Sequence, residues 1–68
     1  MHPIRHRREE LGLTQDGLGK ILGVTGQTIW RWENGSRLPR RRDLPLIEAQ
    51  LGLSPAEILN FKQPEAAE

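Results

Sequence analysis

Apolar residues recur along this chain at helical spacing, in short stretches that glycines interrupt. Gly12, Gly23, Gly35 and Gly52 each follow such a stretch, where a glycine takes the left-handed conformation past a helix end. These breaks predict five short helices. Pro3 opens the first, which runs to about Glu10 with Ile4 and Leu11 facing inward and Arg5, Arg7 and Arg8 largely outward. Thr14 caps the second, Gln15 to Leu22, in which Leu18, Ile21 and Leu22 share a face at i, i+3 and i+4. Thr25 caps the third. At about 100° per residue, Ile29 and Trp32 lie on one side of it, while Gln27, Trp30, Arg31 and Asn34 spread over the other.

From Ser36 to Arg42 the apolar period disappears, and this stretch reads as a loop. Asp43 is the expected cap of the fourth helix, with Pro45 in its first turn; a deeper proline would cost ~3 kcal/mol. Leu44, Ile47 and Leu51 form its inner stripe. Ser54-Pro55 repeats the cap-and-proline start for a last helix through Asn60, with Ile58, Leu59 and Phe61 closing the core. Lys62 to Glu68 has no apolar pattern and is expected to be a disordered tail, so the domain is placed at residues 1–61.

Size and composition narrow the class. A domain of 68 residues buries only roughly 60% of the surface its unfolded chain exposes, so its core must be compact and helical. With no cysteine, neither disulfides nor a cysteine-ligated zinc can compensate for a thin core, and a reducing cytoplasm is the expected location. Apolar runs fall far short of a membrane span. The net charge of +1 conceals a division: residues 1–42 hold nine Lys/Arg against four Asp/Glu, or +5, and residues 43–68 hold one lysine against five acids, or −4. A basic face suited to a polyanion, backed by an acidic remainder, is the expectation.

The informative segment runs from Leu13 to Gly35, where two short helices meet across Gly23-Val24 and the second projects a polar edge. Gln27 and Arg31, one turn apart on that edge, carry the donor and acceptor forks that read adenine and guanine. Over residues 4 to about 60 the chain resembles the lambda-repressor-like (Cro/repressor, XRE) helix-turn-helix family. The resemblance rests on the Gly-Leu-Thr-Gln entry at 12–15, the Leu-Gly-Val-Thr turn at 22–25, Trp-Glu-Asn-Gly at 32–35 and the closing Leu-Gly-Leu-Ser at 51–54.

That resemblance implies an all-α, five-helix DNA-binding domain, acting as a bacterial or phage transcriptional regulator, most often a repressor. It implies the third helix, about residues 26–34, in the major groove of a palindromic operator bound by a weak homodimer. Gln27 and Arg31 are the first candidates for base contacts. Thr28 stands at the helix flank, where it either touches a thymine methyl or phosphate or satisfies the helix start. Trp30, at a position commonly small or polar in relatives, either packs on sugar or thymine methyl, meets a partner, or lies on neighbouring stems. Gln15 at the start of the second helix is the expected phosphate ligand, with Thr25 secondary to its capping role. Arg37, Arg40, Arg41 and Arg42 are the expected neutralisers of the backbone. Arg8 and Glu33 fall where the family pairs an arginine with a glutamate across the first and third helices. Leu53, Ile58 and Phe61 are the expected dimer contact. Gly26 departs from the family by leaving the first exposed position of the recognition helix without a side chain, so that one base contact is either missing or replaced by close backbone approach; Gly17 and Gly19 weaken the second helix, and Gly19 stands where it would permit close packing of the third.

Two other functional classes compete with this reading. An enzyme lacks support, because no nucleophile motif, phosphate loop or carboxylate pair is present, and His2 and His6 read as incidental. No cofactor, metal or small-molecule ligand is expected. A protein-interaction module, such as an antitoxin or coactivator-like adaptor, is the other rival; its apolar association would resist salt, whereas DNA binding by the basic half would weaken steeply.

Overall fold

The computed structural model describes residues 1–60, which form five helices in the order α1 (Pro3–Glu10), α2 (Gln15–Leu22), α3 (Gly26–Glu33), α4 (Asp43–Leu51) and α5 (Pro55–Leu59). The all-α, five-helix expectation holds. Phe61 and the 62–68 tail lie outside the described residues. Each helix contributes a narrow apolar stripe to one core: Ile4, Leu18, Leu22, Ile29, Trp32, Ile47, Leu51, Leu53 and Ile58 are buried together, with Leu13, Val24 and Leu44 packed against them. None of the described helices is long and apolar enough to cross a membrane.

Local chemistry sets the helix ends. Thr14, Thr25 and Ser54 accept the backbone N–H of Gly17, Thr28 and Glu57 respectively, and Glu57 reaches back to the Ser54 N–H to complete a capping box. Gly23 and Gly52 close α2 and α4 at φ 78° and 72°, a region that side chains with a Cβ rarely adopt. Their positions were legible in the sequence.

Several residues depart from the pattern. Leu11 is exposed because α1 ends before it, and Ile21 is exposed because the buried stripe of α2 is narrower than the three leucine and isoleucine positions suggest. Leu59 is likewise exposed, one residue and about 100° from buried Ile58. Asp43 does not cap α4. It is the helix's first residue, Arg42 is the N-cap without a side-chain bond, and the Asp43 carboxylate instead accepts the Arg40 N–H at 3.1 Å. Arg7 and Arg8 are not outward. Arg7 is half-buried and donates to the Leu51 carbonyl at 3.1 Å, where a cation satisfies the C-terminal end of α4.

His2 was not incidental. It is the N-cap of α1, buried, with Nδ1 accepting the Ile4 N–H at 3.0 Å. Burial lowers its pKa below the ordinary 6.5, against an opposing pull from Glu33 and with a smaller lowering from the N-terminal charge. Only the neutral ring has an acceptor at Nδ1 for this bond. The unfolded chain therefore takes up a proton below about pH 6.5 that the folded chain resists, so this contribution to stability is full above 6.5 and is lost as pH falls through the lowered value. His2→Asn, which caps without titrating, is expected to flatten the fall in melting temperature between pH 7 and pH 5. An unchanged slope would show that the ring proton is not linked to folding.

Candidate nucleic-acid interface

The turn between α2 and α3 is held by backbone groups. The N–H groups of Gly23 and Val24 both donate to the Gly19 carbonyl, the latter at 2.8 Å, and Thr25 then opens α3. Closeness depends on Gly19. A Cβ placed there would stand 2.5 Å from the Val24 carbonyl oxygen, 3.0 Å from the Thr25 carbonyl carbon and 3.2 Å from the Gly26 nitrogen. No side chain fits between the two helices at that point.

On α3 the buried edge is Ile29, Trp32 and Glu33. Gln27 is exposed, Thr28 and Arg31 are half-exposed, and Trp30 keeps 50% of its surface open on the same outward side. The structure thus brings Gln27, Trp30 and Arg31 together on one accessible edge. Thr28 is partly engaged: its N–H donates to Thr25 Oγ1 at 3.1 Å, and the two hydroxyls lie 3.0 Å apart. Asn34 folds its amide back on the Trp30 carbonyl at 2.8 Å, so it finishes the helix instead of extending the edge.

Arg8 and Glu33 form the expected pair across α1 and α3. Arg8 Nε donates to Glu33 Oε2 at 2.7 Å and Nη2 to Oε1 at 3.1 Å, a two-pronged arrangement with 11% and 4% of the side chains exposed. This bonding raises the Arg8 pKa above its ordinary value. The third prong, Nη1, donates to the Leu13 carbonyl at 2.8 Å and so fixes the chain entering α2. Gln15 joins the same carboxylate, donating from Nε2 to Glu33 Oε1 at 3.1 Å. It is held at the first turn of α2 by this bond, and its amide retains a second N–H for a ligand. The sequence placed Gln15 at that helix start but carried no signal for its bond to Glu33.

The loop after α3 is tied at both ends. Ser36 and Arg37 donate backbone N–H groups to the Arg31 carbonyl at 3.0 and 3.3 Å, while Arg40 and Asp43 exchange bonds across the start of α4. Pro39 is buried between these ties. The loop turns three of its four arginines toward the flank of α3. Arg37, Arg40 and Arg42 line a cleft of about 250 Å³ with Thr25, Thr28 and Trp32. Arg41 is exposed but stands outside that lining. Asp43 also lines the cleft, but its carboxylate is occupied by the Arg40 N–H, so the cations and two hydroxyls beside the helix start are the groups suited to a phosphate oxygen.

Leu53 and Ile58, expected at a dimer contact, are 9% and 1% exposed within the core. Their side chains are spent on folding. Phe61 is not among the described residues, and the exposed large apolar residue of α5 is Leu59.

A family model described as helix-turn-helix matches residues 4–58. The chain is 36% identical over 56 residues to the repressor protein C2 of Salmonella phage P22, covering 82% of this chain and 26% of that protein. It is 53% identical over 36 residues to an uncharacterized HTH-type transcriptional regulator of Methanothermobacter thermautotrophicus, covering 53% of this chain and 52% of that one. The chain therefore spans between a quarter and a half of the length of these relatives. No solved structure matches it significantly. With a matched model over most of its length and a tight α2–turn–α3 unit presenting a polar helix edge, the chain belongs to the helix-turn-helix family and is a DNA-binding domain of the Cro-like kind.

Proposed function

We propose that the chain regulates transcription, as a repressor, by binding a specific duplex site with α3 in the major groove. Gln27 and Arg31 read base edges, Trp30 lies against sugar or a thymine methyl, and Thr28 serves the groove wall. Gln15, Thr25, Arg37, Arg40, Arg41 and Arg42 hold the phosphates. Two copies occupy a palindrome with half-sites about 34–36 Å apart, because one recognition helix reads too few base pairs to be selective in a genome. They meet through the exposed surface of α5 around Leu59. The observation that carries this reading is the convergence of Arg37, Arg40, Arg42, Thr25 and Thr28 on one cleft beside the open Gln27–Arg31 edge.

The test separates the two kinds of contact. Gln27→Ala and Arg31→Ala should each cost ~1–3 kcal/mol on a site selected from random duplexes and relax the preference at one position per half-site. Arg42→Ala should weaken selected and scrambled DNA alike and lower the slope of log affinity against log salt by about one. Folded helix variants that keep wild-type affinity and preference would remove α3 as the reading element and favour a protein-binding adaptor.

A further inference from the structure

Gly26 leaves the first position of α3 without a side chain, and the space is not empty. A Cβ built on Gly26 collides with the Asp16 Oδ1 atom and stands 3.0 Å from Asp16 Cγ and 3.1 Å from Asp16 N. The second residue of α2 has thus laid its carboxylate over the start of the recognition helix. Asp16 is exposed, and among the described residues no cation pairs with it. Between residues 11 and 42 the acids are Asp16 and Glu33, and Glu33 is buried on Arg8. Asp16 is therefore the uncompensated negative charge within an otherwise basic half. An acid at the start of a helix favours the helix dipole, yet that service needs no particular neighbour on α3. On a face that meets phosphates, the same charge lowers affinity for every duplex, so its useful effect there is discrimination.

We propose that Asp16 is a specificity-determining residue that reads a base in place of the missing α3 side chain, an assignment that rests on the duplex-binding reading above. A carboxylate only accepts hydrogen bonds. In the major groove, cytosine offers the N4 amino donor, guanine offers O6 and N7 acceptors, and thymine offers O4 and a methyl group. Adenine offers an N6 donor beside its N7 acceptor, which repels the second carboxylate oxygen. Asp16 accordingly selects cytosine at the base pair facing the start of α3. The reading surface then comprises Asp16, Gln27 and Arg31, drawn from two helices.

Selection from random duplexes with wild-type protein, Asp16→Ala, Asp16→Asn and Gly26→Ala tests this, with melting curves for each and affinities on the selected site and its single-base variants. Wild type is expected to prefer cytosine at one position per half-site by about fivefold to tenfold, the lower part of the range for a good base contact. Asp16→Ala should lose that preference alone, and Asp16→Asn should move it to adenine, since an amide matches the N6 and N7 pair. Gly26→Ala should lose it too by displacing the carboxylate, with no additional loss in the Asp16→Ala/Gly26→Ala double variant. A wild type that selects a site while Asp16→Ala keeps every base preference would overturn the role of Asp16 and leave α3 as the reader. Uniform tightening on all duplexes, with preferences intact, would also overturn it, leaving mere repulsion. A wild type that selects no duplex would remove both readings together.

Discussion

Glu33→Ala is expected to destabilise the domain by about 3–5 kcal/mol, the cost of leaving one member of a buried ion pair without its partner. The Arg8 guanidinium would keep its bond to the Leu13 carbonyl and a long 4.0 Å contact with the exposed Glu9 carboxylate, but it would lose both bonds to Glu33, and Gln15 would lose its acceptor. Three elements lose their common anchor at once. Small domains hold only about 5–15 kcal/mol in total, so a large part of the fold's stability would go, and the melting temperature should fall by more than about 12 °C. Replacing both members with apolar residues of similar volume, as Arg8→Met/Glu33→Leu, should recover much of the loss because no buried charge is then left alone. Chemical denaturation of the two variants checks this. A Glu33→Ala protein within 1 kcal/mol of wild type would mean that water reaches the Arg8 site freely, against the burial described above.

Gly19→Ala should cost about 3 kcal/mol, the upper end for overpacking a filled core. The atoms it strikes are the backbone of Val24, Thr25 and Gly26, which cannot swing aside as a side chain does. Gly17 shows the contrast: a Cβ there crowds a single side-chain atom, the Thr14 hydroxyl at 3.1 Å, which can shift only by lengthening its capping bond from the Gly17 N–H. Separating α2 from α3 would also shift the Gln27–Arg31 edge relative to the arginine cleft, so duplex binding should fall together with stability. Denaturation curves and anisotropy titrations on the same preparations measure both. Equal stability and affinity to wild type would show that the turn widens without cost.

How much of the interface was legible depends on whether the signal was local. Gln27 and Arg31 were found from angular position alone, because a helix of fixed pitch decides which residues share an edge before any tertiary contact forms. Asp16 was missed for the complementary reason. Its place over Gly26 exists only once α2 and α3 are packed, and nothing in the spacing of ten residues across a turn reveals it. The arginine loop lies between: its charge was evident in sequence, but only folding separates Arg37, Arg40 and Arg42 at the cleft from Arg41 outside it.

Taken alone, the sequence determined the helix count, the Thr14, Thr25 and Ser54 caps, and the glycine exits, since caps and left-handed glycines act through bonds to residues a few positions away. Tertiary structure decided which side of each short stripe finds a partner. It exposed Leu11, Ile21 and Leu59 and buried Leu53 and Ile58. It also turned Asp43 from its expected capping role to the Arg40 N–H, buried His2 at the start of α1, and placed Arg7 on the end of α4. Helical periodicity gives an angle to each residue but not the distance to the next helix, and burial requires both.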